Sequence, residues 1–157
     1  SMHSVLSVNG ETFKDSPAGQ IALIQRNWKN GDVISLELDM RGRLVRLGEK
    51  PENIAILRGP IVLARDARLQ GPFVDAVINP VLDENGYVPL ELIKTNQQNI
   101  WMQFGAKVNT ESYKEKADEP VQAVFCDYAS AGNTIDEHSI FRVWFTQLIN
   151  PRTMPEE

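Results

Sequence analysis

The chain has 157 residues, which is the size of one ordinary domain. Its apolar fraction of 42% and charged fraction of 24% are those of globular proteins, so disordered and fibrous classes are excluded. The formal net charge is −5, and the basic residues are scattered, with the densest group at Arg41, Arg43 and Arg46. Because a nucleic-acid binder needs a basic stripe to neutralise phosphates, nucleic acid is not expected as a partner.

The cysteine and histidine content argues against a metal site. The chain has one cysteine, Cys126, and two histidines, His3 and His138, that lie far apart in the sequence. An internal disulfide is therefore excluded, and neither a metal nor another cofactor is expected. The longest apolar run covers residues 60–64, far short of the roughly 20 residues that span a bilayer, so no membrane partner is expected either.

Turn dipeptides divide the chain in the manner of an all-β protein. They are Asn9-Gly10, Asn30-Gly31, Asn85-Gly86 and Gly132-Asn133, all of which tolerate positive φ. The apolar runs between them predict strands at residues 5–8, 44–47, 54–57, 61–65, 88–93, 100–107, 121–128 and 140–148. Gly59-Pro60 predicts a bend or bulge, because proline cannot donate to a sheet ladder.

Helical patterning is weak, since only residues 97–104 fit a helical period, and residues 110–120 are typical of a surface loop. The prediction is an antiparallel β-sandwich of jelly-roll type, a single domain with little helix.

The most specific structural prediction is a β-hairpin over residues 20–40. Apolar and polar residues alternate along residues 34–40, which is the pattern of a strand with one buried face. If Asn30-Gly31 closes a two-residue turn, this strand pairs with residues 21–28, and Ile21 and Leu23 join the buried face. The opposite face would then carry Trp28, Arg26 and Glu37.

Residue types that carry catalysis are present without the arrangement that catalysis needs. The adjacent pairs Asp118-Glu119 and Asp136-Glu137 are interpreted as solvated loop charge, because neighbouring residues do not flank one bond. Cys126 lies in an apolar strand and is predicted to be a buried, inert thiol with a raised pKa. His138 is predicted to be an exposed turn residue. No catalytic residue is therefore assigned.

The three tryptophans, Trp28, Trp101 and Trp144, allow two interpretations. An exposed indole can stack on the apolar face of a sugar ring, whereas most tryptophans pack in a core or an interface. Trp28 is the strongest sugar-binding candidate because the predicted hairpin puts it beside Arg26. The candidate residues for sugar binding or for a domain interface are Trp28, Arg26, Glu37 and Trp101.

Several motifs together resemble a known family. They are Val8-Asn-Gly-Glu11, Arg26-Asn-Trp-Lys-Asn-Gly-Asp32, Ile54-Ala-Ile-Leu-Arg-Gly-Pro-Ile-Val-Leu-Ala64, Asp127-Tyr-Ala-Ser-Ala-Gly132 and Phe141-Arg-Val-Trp-Phe145. In this order they resemble the C-terminal β-rich region of the DUF1680 proteins, glycoside hydrolase family 127, which includes β-L-arabinofuranosidases. The resemblance covers roughly residues 8–148 and is weakest over 70–117.

This resemblance implies an accessory role. The family's catalytic unit is an upstream (α/α)6 barrel with a cysteine nucleophile held near zinc, and Cys126 does not match the motif of that nucleophile. The chain is therefore expected to be a β-sandwich module over residues 8–148 that packs on the catalytic barrel of the same parent protein. Residues 1–7 are expected to be a cloning remnant and a partial first strand, and residues 149–157 a tail.

Two other functions stay open. One is a carbohydrate-binding module that holds an oligosaccharide through Trp28 or Trp101. The other is an assembly element, in which an exposed edge strand offers unpaired backbone groups to a second copy and produces a homo-oligomer. The sequence leaves open whether the compartment is periplasmic, secreted or cytoplasmic.

Overall fold

The computed structural model describes residues 4–13, 20–94, 97, 99–110, 119–134 and 139–147. These residues form short strands whose pairings are all antiparallel, together with a 3-10 turn at Tyr128–Ser130. The predicted all-β fold with little helix is confirmed. Within these ranges, no helix has the length and apolar character that a membrane crossing requires.

The chain contacts group into two compact units, Ser1–Met40 and Arg41–Glu157. The first unit contains β1 (Val5–Val8), β2 (Glu11–Thr12) and β3 (Ile34–Glu37), in the sheet order β2-β1-β3. Asn9 and Gly10 both have positive φ, 54° and 82°, which is the type I′ turn that joins two strands through two residues. The predicted bounds of an 8–148 domain with flanking segments stay a prediction.

The predicted hairpin over residues 20–40 is wrong. Asn30-Gly31 does form a turn, in which the Asp32 N–H donates to the Lys29 carbonyl at 3.1 Å, but residues 20–33 form no strand. Instead β3 pairs with β1, with Leu36 opposite Leu6 and Ile34 opposite Val8. The alternation of apolar and polar residues along β3 allows pairing with any strand that has apolar residues at matching positions, and Leu6 and Val8 give β1 such positions. Ile21 and Leu23, which were expected to be buried, are 95% and 79% exposed.

The second unit is one extended sheet. Its path runs β12-β5-β6-β10-β9-β7, with β4 paired to β5, β8 to β9 and β11 to β6. The strands are β4 (Gly42–Leu47), β5 (Lys50–Arg58), β6 (Ile61–Asp66), β7 (Ile78–Pro80), β8 (Glu91–Ile93), β9 (Gln103–Thr110), β10 (Val121–Asp127), β11 (Phe141–Arg142) and β12 (Phe145–Thr146).

The main core lies on one face of this sheet. Alternate residues of β5, β6, β9 and β10 supply it, including Ile56, Leu63, Phe104 and Phe125. The Phe125 and Phe145 rings meet edge to face with centroids 5.6 Å apart. A smaller cluster of Ala64, Ile100 and Cys126 lies on the opposite side, because neighbouring strand residues point to opposite faces. We call the side opposite the main core the outer face.

The predicted strands of the second unit are found with shifted ends. Gly59-Pro60 forms the two-residue turn of the β5–β6 hairpin rather than a bulge, since Arg58 pairs with Ile61 and Gly59 has a φ of 58°. Residues 140–148 were expected to form one strand, but a bend at residues 143–144 separates β11 from β12. The described part of 97–104 contains no helix, and residues 111–118 of the predicted loop lie outside the described residues.

Candidate functional site

Arg26 and Trp28 lie together in the first unit, as the sequence predicts. The Arg26 guanidinium carbon is 5.3 Å from the centroid of the Trp28 ring, within cation–π range. Its Nη2 atom is 3.7 Å from a carboxylate oxygen of Asp32. About half of the Trp28 side chain remains exposed. A local turn, rather than the predicted hairpin, produces this contact.

Asp32 fixes the turn that carries Trp28. Its carboxylate accepts the Lys29 N–H and the Asn9 side-chain amide, both at 2.8 Å. The Asn9 side-chain oxygen accepts the Val33 N–H at 2.8 Å, which ties the β1–β2 turn to the residues before β3. The Lys29 hydrogen bond, the Asn9 amide and the Arg26 charge together lower the pKa of Asp32. The carboxylate is therefore a structural acceptor.

Glu37 does not have the predicted position. It ends β3 opposite Val5, and the register that would have set it beside Arg26 is not formed. An open depression of about 560 Å3 lies next to Arg26, lined among others by Val8, Phe13, Ile24 and Lys29. The Arg26–Trp28 pair therefore has a neighbouring recess, and the acidic residue in its described lining is Glu11 rather than the predicted Glu37.

An apolar surface of the first unit is open to solvent. Ile34 and Leu36 share a sheet face with Val8 and Leu6, which they directly oppose. Val8 and Leu6 on the central strand are buried, whereas Ile34 and Leu36 on the edge strand are 54% and 60% exposed. Five apolar residues of this unit are more than half exposed, and we call them the apolar strip: Ile21, Leu23, Val33, Ile34 and Leu36.

In the second unit a buried acid organises the end of β6. Asp66 is fully buried and accepts the Arg68 Nε and Nη2 hydrogens at 2.8 and 2.7 Å, and the Gly132 N–H at 2.9 Å. Burial alone would raise the pKa of Asp66, but the hydrogen bonds from Arg68 and Gly132 outweigh it, and the pKa is lowered. Arg68 also donates to the Ser130 carbonyl and to Asn133.

A second buried acid holds the residues around Trp101. Asp127 accepts the Ser130 N–H and hydroxyl, and also the Met102 N–H at 3.0 Å. The Ser130 hydroxyl oxygen in turn accepts the Trp101 N–H at 3.0 Å. The backbone on both sides of the Trp101 side chain is therefore fixed, while that side chain is 75% exposed. Trp144, between β11 and β12, is less exposed.

Cys126 is buried, as predicted. Burial raises the pKa of its thiol to about 12, and the nearby carboxylates of Asp66 and Asp127 act in the same direction. The prediction of a buried thiol with a raised pKa is confirmed. A thiol in this state supplies almost no thiolate, which is the reactive form. His3 and His138 lie outside the described residues, as do Asp118, Asp136 and Glu137.

An open pocket of about 570 Å3 lies on the outer face of the second unit, and we call it the outer pocket. Its floor contains Gln103 and Val124, whose strand neighbours Phe104 and Phe125 point into the main core. Its walls are formed by residues 68–70 and 93–94, and Gln97 also lines it. This pocket has no signature in the sequence, because its side chains come from distant segments and follow no motif.

Glycine fixes one wall of the outer pocket. The Gln70 carbonyl accepts the Val124 N–H at 3.1 Å, and Gly71 follows with a φ of 124°. A Cβ atom at Gly71 would lie 3.0 Å from the Ala123 Cα atom, so a larger residue would push the wall away from β10. Gln70 is therefore held at a defined place beside the floor.

Across the described residues, no group of three or more His, Cys, Asp or Glu side chains could hold a metal ion.

Comparison with known proteins gives a fold likeness and no sequence match. No family model and no curated protein matches the chain. A solved structure titled glycoside hydrolase superposes with a TM-score of 0.61 at 20% identity, over 92% of this chain and 26% of its own. A GH127 β-L-arabinofuranosidase from Geobacillus stearothermophilus T6 gives a TM-score of 0.61 at 16% identity, over 93% of this chain and 25% of its own.

These likenesses establish a fold related to that of GH127 glycoside hydrolases. The chain spans about a quarter of the length of those proteins, so most of each neighbour has no counterpart here. Both neighbours have less than 25% sequence identity to this chain, and their activity is a property of those proteins.

Proposed function

We propose that this chain is a non-catalytic β-sandwich module of a glycoside hydrolase related to GH127, corresponding to the C-terminal β-rich region of the DUF1680 proteins. Its role is to support the catalytic barrel by packing against it. The observation that carries the proposal is the fold likeness over nine-tenths of this chain and only a quarter of each neighbour. A region that makes up about a quarter of a glycoside hydrolase has the size expected of an accessory domain attached to a larger catalytic domain.

The apolar strip supports a docking role. Full burial of one aliphatic side chain contributes about 1.5–3 kcal/mol. The exposed fractions of the five strip residues therefore leave about 7 kcal/mol of burial energy unused in this chain. Ile34 and Leu36 share one face of an edge strand, and an exposed apolar edge strand is typical of a surface that another protein part covers. Trp28 and Arg26 belong to the same unit and are proposed to extend this interface.

The chemistry of the second unit supports a non-catalytic role. The carboxylates of Asp66 and Asp127 are buried and accept several internal hydrogen bonds each. Cys126 has a pKa of about 12 and supplies no nucleophile near neutral pH. The reactive groups of these described residues are occupied in holding the fold.

A hydrolysis assay tests the proposal. The purified chain is incubated with 4-nitrophenyl β-L-arabinofuranoside, with and without added zinc, beside a GH127 enzyme as the positive control. We expect no release of nitrophenol above the buffer rate. Zinc-dependent turnover by the purified chain would overturn the proposal.

A second candidate function is self-assembly through the first unit. Among the described residues, β3 pairs with β1 on one side only, and its exposed apolar residues lie on this edge strand. Addition of a strand from a second copy would satisfy the open backbone groups. Sedimentation velocity at several concentrations separates the candidates, because a concentration-independent monomer excludes assembly and leaves the docking role untouched.

A further inference from the structure

Three exposed turns of the chain contain an asparagine followed by a glycine. They are Asn9-Gly10, Asn30-Gly31 and Asn85-Gly86. In such a pair the glycine nitrogen can attack the side-chain amide carbon of the asparagine, because glycine has no Cβ atom to hinder the approach. The new bond from nitrogen to carbon closes a succinimide ring, and the amide nitrogen leaves as ammonia. Water then opens the ring to aspartate or, at the other ring carbonyl, to isoaspartate.

Hydrogen bonds at the side chain protect Asn9 from this reaction. Its amide donates to the Asp32 carboxylate at 2.8 Å, and its oxygen accepts the Val33 N–H at 2.8 Å. Attack on the amide carbon requires the side chain to turn toward Gly10, which breaks both hydrogen bonds. The reaction at Asn9 is therefore slowed by the free energy of two hydrogen bonds.

The turn at Asn85 is protected at the nucleophile instead. The Gly86 N–H donates to the Asp83 carbonyl at 3.0 Å, so the attacking nitrogen is engaged. The Asp83 carboxylate also accepts the N–H groups of Asn85 and Tyr87, at 2.9 and 2.8 Å, which holds this turn closed. The hydrogen bond of Gly86 must break before the ring can form, and this slows the reaction at Asn85.

Asn30-Gly31 has neither form of protection. Both residues are exposed, and within the described residues neither the Asn30 amide nor the Gly31 N–H makes a hydrogen bond. The space beside Gly31 is open, since a Cβ atom at this glycine would meet nothing within 4 Å apart from its chain neighbours. The Asn30 side chain can therefore reach the Gly31 nitrogen without loss of a contact.

The turn that contains Asn30 also positions Arg26. Asp32 accepts the Lys29 N–H at 2.8 Å and donates its own N–H to the Lys29 carbonyl at 3.1 Å, so these hydrogen bonds close a loop around position 30. Isoaspartate formation adds one carbon atom to the main chain inside this loop. The loop then no longer fits its two hydrogen bonds, and the Asp32 carboxylate loses its place 3.7 Å from the Arg26 Nη2 atom.

We propose that Asn30 is the site of spontaneous deamidation in the native chain, and that isoaspartate formation there loosens the contact between Arg26 and Trp28. The reaction also replaces a neutral amide by a carboxylate and so adds a negative charge to the turn. The Arg26–Trp28 surface is therefore lost progressively as the protein ages. The proposal does not depend on the supporting role, because it concerns a reaction of the chain by itself.

Peptide mapping by mass spectrometry tests the site of the reaction. The purified chain is incubated in mildly alkaline buffer, and the converted fraction of each asparagine is measured from the increased mass of its peptide. In the native chain we expect Asn30 to react at least about fivefold faster than Asn9 or Asn85, as for the loss of one hydrogen bond. In urea the three rates should converge, because the three dipeptides are identical and the protecting hydrogen bonds are absent.

Asp32→Ala tests the protection of Asn9. This variant removes the acceptor of the Asn9 amide and should speed deamidation of Asn9 about fivefold. The rate at Asn85, which makes no contact with Asp32, should stay unchanged and serves as the internal control. Near-ultraviolet circular dichroism checks that the variant is folded.

Fluorescence tests the effect on Trp28. With Trp101→Phe and Trp144→Phe, Trp28 is the one remaining tryptophan, and acrylamide quenching of its fluorescence should increase in step with isoaspartate at Asn30. Asn30→Gln should keep the quenching constant through the same incubation, because the longer side chain closes its ring far more slowly. Equal rates at the three asparagines of the native chain, or quenching that stays unchanged after Asn30 has reacted, would overturn the proposal and leave the supporting role standing.

Discussion

Replacement of Ile34 and Leu36 by polar residues tests whether the apolar strip is an interface. Folding of this chain buries less than half of each side chain, since they are 54% and 60% exposed. With about 2 kcal/mol for full burial, Ile34→Thr together with Leu36→Gln should cost the isolated chain about 2 kcal/mol. By contrast, Leu6→Ala, at a position that is 8% exposed and opposite Leu36, should cost about 2–5 kcal/mol by itself.

Urea unfolding followed by circular dichroism measures these changes in free energy. Binding of the dye 8-anilinonaphthalene-1-sulfonate measures the exposed apolar surface, and the double variant should bind less dye than the parent chain. The exposed halves of the two side chains represent about another 2 kcal/mol, so affinity for a docked partner should fall about thirtyfold. A loss of more than about 4 kcal/mol in the isolated chain would refute the reasoning, since Ile34 and Leu36 would then belong to a core.

Three further predictions concern the second unit. Asp127→Ala removes the acceptor of the Met102 and Ser130 N–H groups and should lower the free energy of unfolding in urea by about 3–5 kcal/mol. Asp83 is an exposed acceptor in a turn, so Asp83→Ala should lower it by only about 1 kcal/mol. Equal losses in the two variants would contradict a structural role for the Asp127 hydrogen bonds. The pKa of Asp66 is lower in the folded chain than in the unfolded chain, where it is about 4. The ionised carboxylate therefore stabilises the fold fully above pH 4, and this stabilisation is lost as the pH falls through the folded pKa. Asp66→Asn should flatten the dependence of the unfolding free energy on pH below pH 4, and an unchanged slope would contradict this. Alkylation of Cys126 by iodoacetamide should be about a thousandfold slower in the native chain than in urea. The pKa of the thiol is about 12 in the folded chain against an ordinary value of 9.0, which reduces the thiolate fraction by that factor. Equal rates in the two states would refute a buried thiol.

Local features of the sequence predicted the local features of the fold. Ile54 to Ala64 reads as two apolar runs around Gly59-Pro60, and the structure has the β5–β6 hairpin there. The pair Asn9-Gly10 predicted a turn, and both residues have the positive φ that a two-residue hairpin needs. The apolar surroundings of Cys126 predicted its burial and the direction of its pKa shift.

Long-range pairing could not be predicted in the same way. The alternation along residues 34–37 indicates a strand but does not select its partner, and β1 took the place that the sequence suggested for residues 21–28. The contact of Asn9 with Asp32 spans 23 residues and has no signature in the sequence. The outer pocket depends on the neighbouring positions of Gln70 and Gln103, which the pairing of β9 with β10 and the hydrogen bond from the Val124 N–H to the Gln70 carbonyl determine.

Amide hydrogen exchange of β3 tests the central claim most directly. Exchange at residues 34–37 is measured in this chain and in a longer polypeptide that joins it to the catalytic barrel. The proposed docking predicts at least about tenfold slower exchange at β3 in the longer polypeptide, because the barrel would cover the exposed strand. The same exchange rates in both proteins, with the barrel folded and active, would contradict a supporting interface on the apolar strip.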